Sequence, residues 1–256
     1  MAWDDVRLEM ADGIARITVT RPDKLNAMRD QTADELLAAL RAAETGGART
    51  VLLTGEGRAF GAGYDLATLD PAAVPDLARV LDLHFNPLVR AMRSSPLPIV
   101  AAVNGACAGA SVGLALAADI VIAARSAFFY EPFVGIALVP DAGNTLFLPR
   151  IAGRIRASAA MLLGDRITAD QAERWGLVWK VVDPEALLSE AGAICARLAE
   201  RAPSAVSMTK RLIAQASDPD LAPMLDLERD LQGEAGRSPA MRAAVDAFFA
   251  ARGAKG

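Results

Sequence analysis

Two hydrophobic rhythms alternate through the first three-quarters of the chain. IARITVT (14–20) and RTVLLTG (49–55) concentrate β-branched residues in short runs and predict strands. Between them, DQTADELLAALRAAE carries leucines at 36, 37 and 40 on one face of a predicted amphipathic helix. Thr32 and Glu35 have capping-box spacing at its start. Further strands are expected at PIVAAV (98–103), DIVIAA (119–124) and VWKVV (178–182), and helices over 74–93, 109–117, 142–150, 154–163 and 168–175. From Pro184 onward strand signals stop, and helical patterns follow near 185–201, 204–216, 222–235 and 239–251. The pattern predicts an α/β body over residues 1–195 and an all-helical region over 196–256. Two C-terminal segments, SAVSMTKRLIAQA and AMRAAVDAFFAA, carry broad apolar faces suited to closing the body or to a subunit contact.

Composition narrows the function classes. With 256 residues, 53 % hydrophobic and 23 % charged, the chain is an ordinary globular protein able to bury a large core. A net charge of −4 offers no basic footprint for nucleic acid or anionic lipid. The two cysteines, Cys107 and Cys195, lie far apart in apolar segments and read as buried thiols in a reducing compartment, with no metal-ligand spacing. MAWDDVRLEM is too charged for a signal peptide. Residues 98–124 are apolar, yet Pro98, Asn104, Asp119 and glycines interrupt them, so a buried core segment is expected rather than a membrane span. A cytoplasmic protein is the expectation.

Three stretches offer chemistry. Gly109-Ala110-Ser111-Val112-Gly113 matches the G-x-S-x-G nucleophile elbow. The hydrolase fold owning that pattern orders its triad Ser, acid, His, and the single histidine here, His84, precedes Ser111. His84 sits at helical spacing with Leu81 and Leu88, which favours a packed or pocket-lining role over a catalytic one. The glycines of TVLLTGEGRAFGAGYDL follow a strand, but Phe60 and Leu66 stand where a dinucleotide fingerprint needs its third glycine.

Taken together, RPDKLNAM (21–28), GRAFGAGYDL (57–66), PIVAAVNGACAGASVGLALAADIVIAA (98–124), GIALVPDAGNTLFLPRIAG (135–153) and GDRITADQAERWGLVWKVVD (164–183) resemble the crotonase, or enoyl-CoA hydratase/isomerase, superfamily. The resemblance implies a spiral of ββα units with a C-terminal helical trimerisation region, as a homotrimer or a dimer of trimers. It also implies an acyl-CoA thioester substrate, so coenzyme A enters as part of the substrate and no separate cofactor is expected. The family holds a thioester enolate with two backbone N–H groups, which carry over to Tyr64 and Ala110. Small residues around 109–113 then let the thioester oxygen approach the main chain, and the hydroxyl of Ser111, at a usual glycine position, is incidental. Coenzyme A is expected along Lys24, Leu25 and Ala27 and along Ala62, Asp65 and Leu66, with Lys24 as a phosphate contact and Asp65 holding the loop.

The acids decide the chemistry. Hydratases of the family carry two glutamates, at positions that here are Gly113 and Phe133. One carboxylate remains in the expected site, Asp141 of LVPDAGNT, and this phrase is most like that of Δ3,Δ2-enoyl-CoA isomerases and the ring-1,2-epoxyphenylacetyl-CoA isomerase group. A single carboxylate can remove an allylic proton and return it elsewhere while the oxyanion site holds the dienolate. Val139 and Phe133 are the expected apolar neighbours of Asp141. Asp141 follows Pro140 before a helical stretch, so a helix N-cap is the competing role. Glu131 is the reserve acid. A haloaryl dehalogenase would carry tryptophan at Phe133, and the C-terminus lacks the family's Glu-Gly and Glu-Lys pairs, with Lys255 the remaining basic group there. An enoyl-CoA isomerase is therefore expected, with a hydratase or a non-catalytic acyl-CoA-binding relative as alternatives.

Overall fold

The computed structural model describes residues 1–68, 76–216 and 221–253. They form two compact units, Met1–Ala199 and Glu200–Gly256. The first holds ten strands: β1 (Val6–Ala11), β2 (Ile14–Val19), β3 (Thr50–Gly55), β4 (Ala59–Gly61), β5 (Ile99–Val103), β6 (Ala106–Ala108), β7 (Ile120–Ala124), β8 (Phe128–Tyr130), β9 (Ile167–Thr168) and β10 (Lys180–Val182). Its helices are α1 (Asp30–Thr45), α2 (Leu77–Val80), α3 (Asn86–Ser94), α4 (Ala110–Ala117), α5 (Asn144–Ala152), α6 (Arg154–Leu163), α7 (Ala169–Trp175) and α8 (Leu187–Ala199). The second unit holds α9 (Pro203–Gln215), α10 (Leu221–Gly236) and α11 (Pro239–Gly253), with α10 packed on both of the others.

Two sheets carry the first unit. One runs in the order β1-β2-β3-β5-β7-β10, parallel except for the β1–β2 hairpin, and the other in the order β4-β6-β8-β9. Successive strands alternate between the sheets: β3 to β4, β5 to β6, β7 to β8. Each pair is followed by helix, which generates the expected ββα spiral. IVAAV of β5 and TVLLTG of β3 are buried along their whole length, as strands covered on both faces of a parallel sheet must be. α4 is buried on every side, so its alanines and glycine reflect lack of room rather than solvent-facing helix propensity. Residues 98–124 thus become two strands, a helix and a third strand of the core. Among the described residues no helix is long and apolar enough to cross a membrane.

The sequence pattern misplaces some details. Helix α1 begins two residues before Thr32, which therefore stands inside the first turn and accepts a hydrogen bond from the Arg29 N–H at 3.1 Å. Glu35 accepts instead from the Asp5 N–H at 2.8 Å, so the capping box of Thr32 and Glu35 does not form. Buried Asp5 reorganises this helix start: Arg29 donates to both its oxygens at 2.8 and 2.9 Å, and Thr32 adds a third hydrogen bond. Burial pushes the Asp5 carboxyl up, but these hydrogen bonds and the charges of Arg21 and Arg29 outweigh it and hold it below the usual range. The helix expected over 74–93 has its first two positions outside the described residues. The remainder contains a π turn at Leu81–Phe85 between α2 and α3. Cys107 and Cys195 are both buried and free.

Candidate active site

An apolar cavity of about 190 Å³ opens between four segments of the first unit. It is lined by Ala62, Gly63, Tyr64 and Leu66, by the apolar side of the 77–85 segment, by Gly109 and Ala110, and by residues from Pro132 to Asp141.

The 62–66 loop is fixed by RPDKLNAM. The Arg21 guanidinium pairs with Asp65 at 2.9 Å, approaches Asp5 at 3.5 Å and donates to the Ala27 carbonyl. Wholly buried Asn26 accepts from the Arg21 N–H and donates to the carbonyls of Glu56 and Ala59, at 2.9, 2.9 and 2.6 Å. These bonds hold Met28 beside Tyr64 as a parallel bridge. The Met28 N–H donates to the Gly63 carbonyl and the Asp65 N–H to the Met28 carbonyl, both at 2.7 Å. In a parallel bridge the flanking peptides make the bonds, so the N–H of Tyr64 itself turns away from Met28. The Tyr64 hydroxyl donates to Asp30 at 3.0 Å, and its ring meets Phe85 edge-on at 5.9 Å.

The second amide comes from Ala110, the first residue of α4, where N–H groups have no partner within the helix. Gly109 leads into it at φ 54°, ψ −129°, a conformation that a side chain would strain, and its own N–H donates to the Tyr130 carbonyl at 2.9 Å. The two amide-bearing loops pass close to each other: a Cβ on Gly109 would stand 3.6 Å from the Gly63 Cα.

Ser111 is not incidental. Its buried hydroxyl accepts the Gly63 N–H at 3.3 Å and so ties the 62–64 loop to the first turn of α4. The single histidine, His84, bonds elsewhere and offers it no base. His84 binds Asp34 at 2.8 Å through Nδ1 and lies 3.6 Å from Asp30 through Nε2, away from the cavity wall. It is neither core-packed nor pocket-lining but hydrogen-bonded to Asp34 of α1.

The opposite wall carries the acids. Asp141 lines the cavity, and its Oδ1 is buried with no hydrogen-bond partner. Burial pushes its carboxyl up to about 6, against a smaller lowering by its own backbone N–H. It is not an N-cap. That position belongs to Gly143, and Asp141 contributes only its main-chain carbonyl, which accepts the Asn144 N–H at 2.9 Å. Glu131 is 1 % exposed and neither of its oxygens has a partner; it lies off the cavity wall. Burial, then the charge of Asp141, raise its carboxyl to about 8. The expected neighbour Val139 is 79 % exposed and does not line the cavity, although Leu138 before it does. Ile136, Leu138 and Phe133 form the apolar wall instead.

The positions of the two hydratase glutamates are filled. Phe133 is buried in the cavity wall. At Gly113 any Cβ would stand 2.3 Å from the Ala142 carbonyl oxygen, so the backbone that follows Asp141 occupies the space. Of the residues singled out from sequence, Ala62, Tyr64, Leu66, Ala110, Phe133 and Asp141 meet in one cavity. Lys24, Leu25, Ala27 and Asp65 do not line it: Lys24 is exposed on a short 3-10 turn, Leu25 takes φ 51°, Ala27 is buried, and Asp65 is engaged by Arg21. Arg21, Asn144 and the apolar residues Leu77, Val80, Leu81 and Phe85 were not assigned to the site from the sequence.

A spiral of two sheets whose cavity is walled by two glycine-led amide loops and one unpaired carboxyl defines a crotonase-type fold. The enoyl-CoA hydratase/isomerase family model matches residues 9–255, and the chain belongs to that family, the acyl-CoA enzymes of the crotonase superfamily. It is 43 % identical to the 1,2-epoxyphenylacetyl-CoA isomerase of Escherichia coli, over 94 % of this chain and 93 % of that protein. It is 45 % identical to a probable enoyl-CoA hydratase of Rhodobacter capsulatus, over 98 % and 97 %. The crystal structure of an enoyl-CoA hydratase from Polaromonas sp. JS666 superposes with a TM-score of 0.91 at 33 % identity, covering 96 % of each chain.

Proposed function

We propose that the chain is an enoyl-CoA isomerase. The N–H groups of Tyr64 and Ala110 receive the thioester oxygen as charge develops on it, and Asp141 carries the proton. The carboxylate takes a proton from the carbon allylic to the double bond, the electron pair delocalises into the thioester as a dienolate, and the same proton returns to the other end of the allylic unit. No atom is gained or lost, and no cofactor beyond the coenzyme A of the substrate is called for. The 24–27 segment would face the coenzyme A, with Lys24 available to its phosphates.

One observation carries this reading: an unpaired, buried Asp141 oxygen on the wall of an apolar cavity that also presents both amide-bearing residues. Apolar surroundings weaken the acid enough to let it both take and give a proton near neutral pH. The resemblance to the E. coli isomerase points to a 1,2-epoxyphenylacetyl thioester as a further substrate, whose rearrangement is a different step, and a β,γ-enoyl-CoA is the probe of the double-bond shift. Ultraviolet absorbance of a β,γ-enoyl-CoA rises on conversion to the conjugated isomer, and Asp141→Asn lowers that rate about 1000-fold. The rate should also fall as pH drops through about 6, where Asp141 takes up its proton. No rise with the wild-type enzyme, or an undiminished rate in the variant, rejects the proposal. Binding of acyl-CoA without any turnover would instead indicate a non-catalytic relative.

Hydration is the second reading, favoured by Glu131, a further carboxyl whose pKa is raised by burial first and by the charge of nearby Asp141 second. Loss of conjugated absorbance from crotonyl-CoA would support it.

A further inference from the structure

Asn144 opens α5 with no exposed surface, and its two hydrogen bonds join the two halves of the site. Its main-chain N–H donates to the Asp141 carbonyl at 2.9 Å, and its side-chain Nδ2 donates to the Gly109 carbonyl at 3.0 Å. That carbonyl belongs to the same planar peptide as the Ala110 N–H, so whatever fixes the one fixes the direction of the other. Satisfying the carbonyl does not require Asn144, because the Val112 N–H already donates to it at 2.9 Å. The arrangement also leaves the Asn144 Oδ1 buried without a partner, which is unfavourable for a residue that merely fills space.

We propose that Asn144 is a positioning residue that locks the Gly109–Ala110 peptide to the Asp141 segment, so that oxyanion donor and proton carrier are held at one fixed separation. The proposal rests on the oxyanion role given above to Ala110. A second donor on the Gly109 carbonyl also polarises the peptide and strengthens the Ala110 N–H toward a negatively charged oxygen. The strut is therefore of more use to an enolate than to a neutral thioester.

The test compares two ligands. Acetoacetyl-CoA ionises to an enolate with its own ultraviolet band, whereas butyryl-CoA stays neutral. Asn144→Ala and Asn144→Asp should lose 10- to 100-fold in affinity for acetoacetyl-CoA together with the enolate band, and bind butyryl-CoA within threefold of wild type. For the double-bond shift, kcat should fall in parallel while KM moves less than threefold. Thr145→Ala, at the exposed next position, should change neither. Where Asn144→Ala loses its near-ultraviolet dichroism, Asn144→Asp, which keeps the shape but puts an acceptor oxygen in place of the Nδ2 donor, carries the same comparison. Equal losses for both ligands, or an unaltered enolate band, overturn the proposal. Absence of turnover in wild type would defeat the isomerase reading alone, since the ligand comparison needs no proton carrier.

Discussion

The two sides of the cavity satisfy their polar groups in opposite ways. On the amide side the buried polar side chains that hold the loops are paired: Ser111 with Gly63, Asp65 with Arg21, and Asn26 with three main-chain groups. On the acid side, both Glu131 oxygens, the Asp141 Oδ1 and the Asn144 Oδ1 are buried without partners. Paired groups are held still, whereas unpaired carboxyls in apolar surroundings resist ionising, so their protons are bound more tightly. One side supplies geometry and the other supplies a tuned acidity.

The contrast can be broken most forcefully at Glu131. A carboxyl raised from 4.5 to about 8 holds its proton in the folded protein when the unfolded chain would release it. The stability this confers is fully present below about pH 4.5 and is lost as pH rises toward and through 8. Glu131→Gln, which cannot ionise, should therefore be more stable than wild type in alkali, by on the order of 4 kcal/mol, and nearly equal to it in mild acid. Denaturant unfolding from pH 5 to pH 9 measures this, and parallel curves for the two proteins would show that the acid side stores no such strain.

Gly113 joins the two sides and gives the next largest effect. Gly113→Ala brings a methyl against the Ala142 carbonyl, at 2.3 Å if nothing moves. Stability should drop by about 3 kcal/mol through overpacking. The isomerisation rate should drop with it, since Asp141 is displaced, and wild-type melting and turnover would mean that the acid segment yields freely. Smallest is the amide side itself: Ser111→Ala leaves the Gly63 N–H buried without its acceptor and should cost about 1 kcal/mol in denaturant unfolding. A change of several times that size would mean that this side has no reserve of rigidity.

What the sequence discloses follows from the range over which each feature is encoded. β3 and β5 announce themselves because burial on both faces demands an unbroken apolar run. β4, β6, β8 and β9 have two or three residues each, too few to show any period, and their places depend on partners in the second sheet. Tyr64, Ala110 and Asp141 could be picked out because their segments follow a family pattern, and the structure brings all three to one cavity. The supports behind them were hidden. Ser111 meets Gly63 across 48 positions and Asn144 meets Gly109 across 35, contacts that exist only once the spiral has wound. Thr32 and Glu35 were misread for the same reason, since Asp5, thirty residues before Glu35, takes over both side chains.

The main-chain origin of the proposed oxyanion donors has a consequence for how such a protein can diversify. Peptide N–H groups are present whatever side chain stands beside them, whereas Leu77, Val80, Leu81, Phe85, Ile136 and Leu138, which give the cavity its shape, are all ordinary targets of point mutation. Trading aliphatic for aromatic bulk at these positions should therefore change which acyl group fits, while the proposed anion-holding amides stay in place with the backbone.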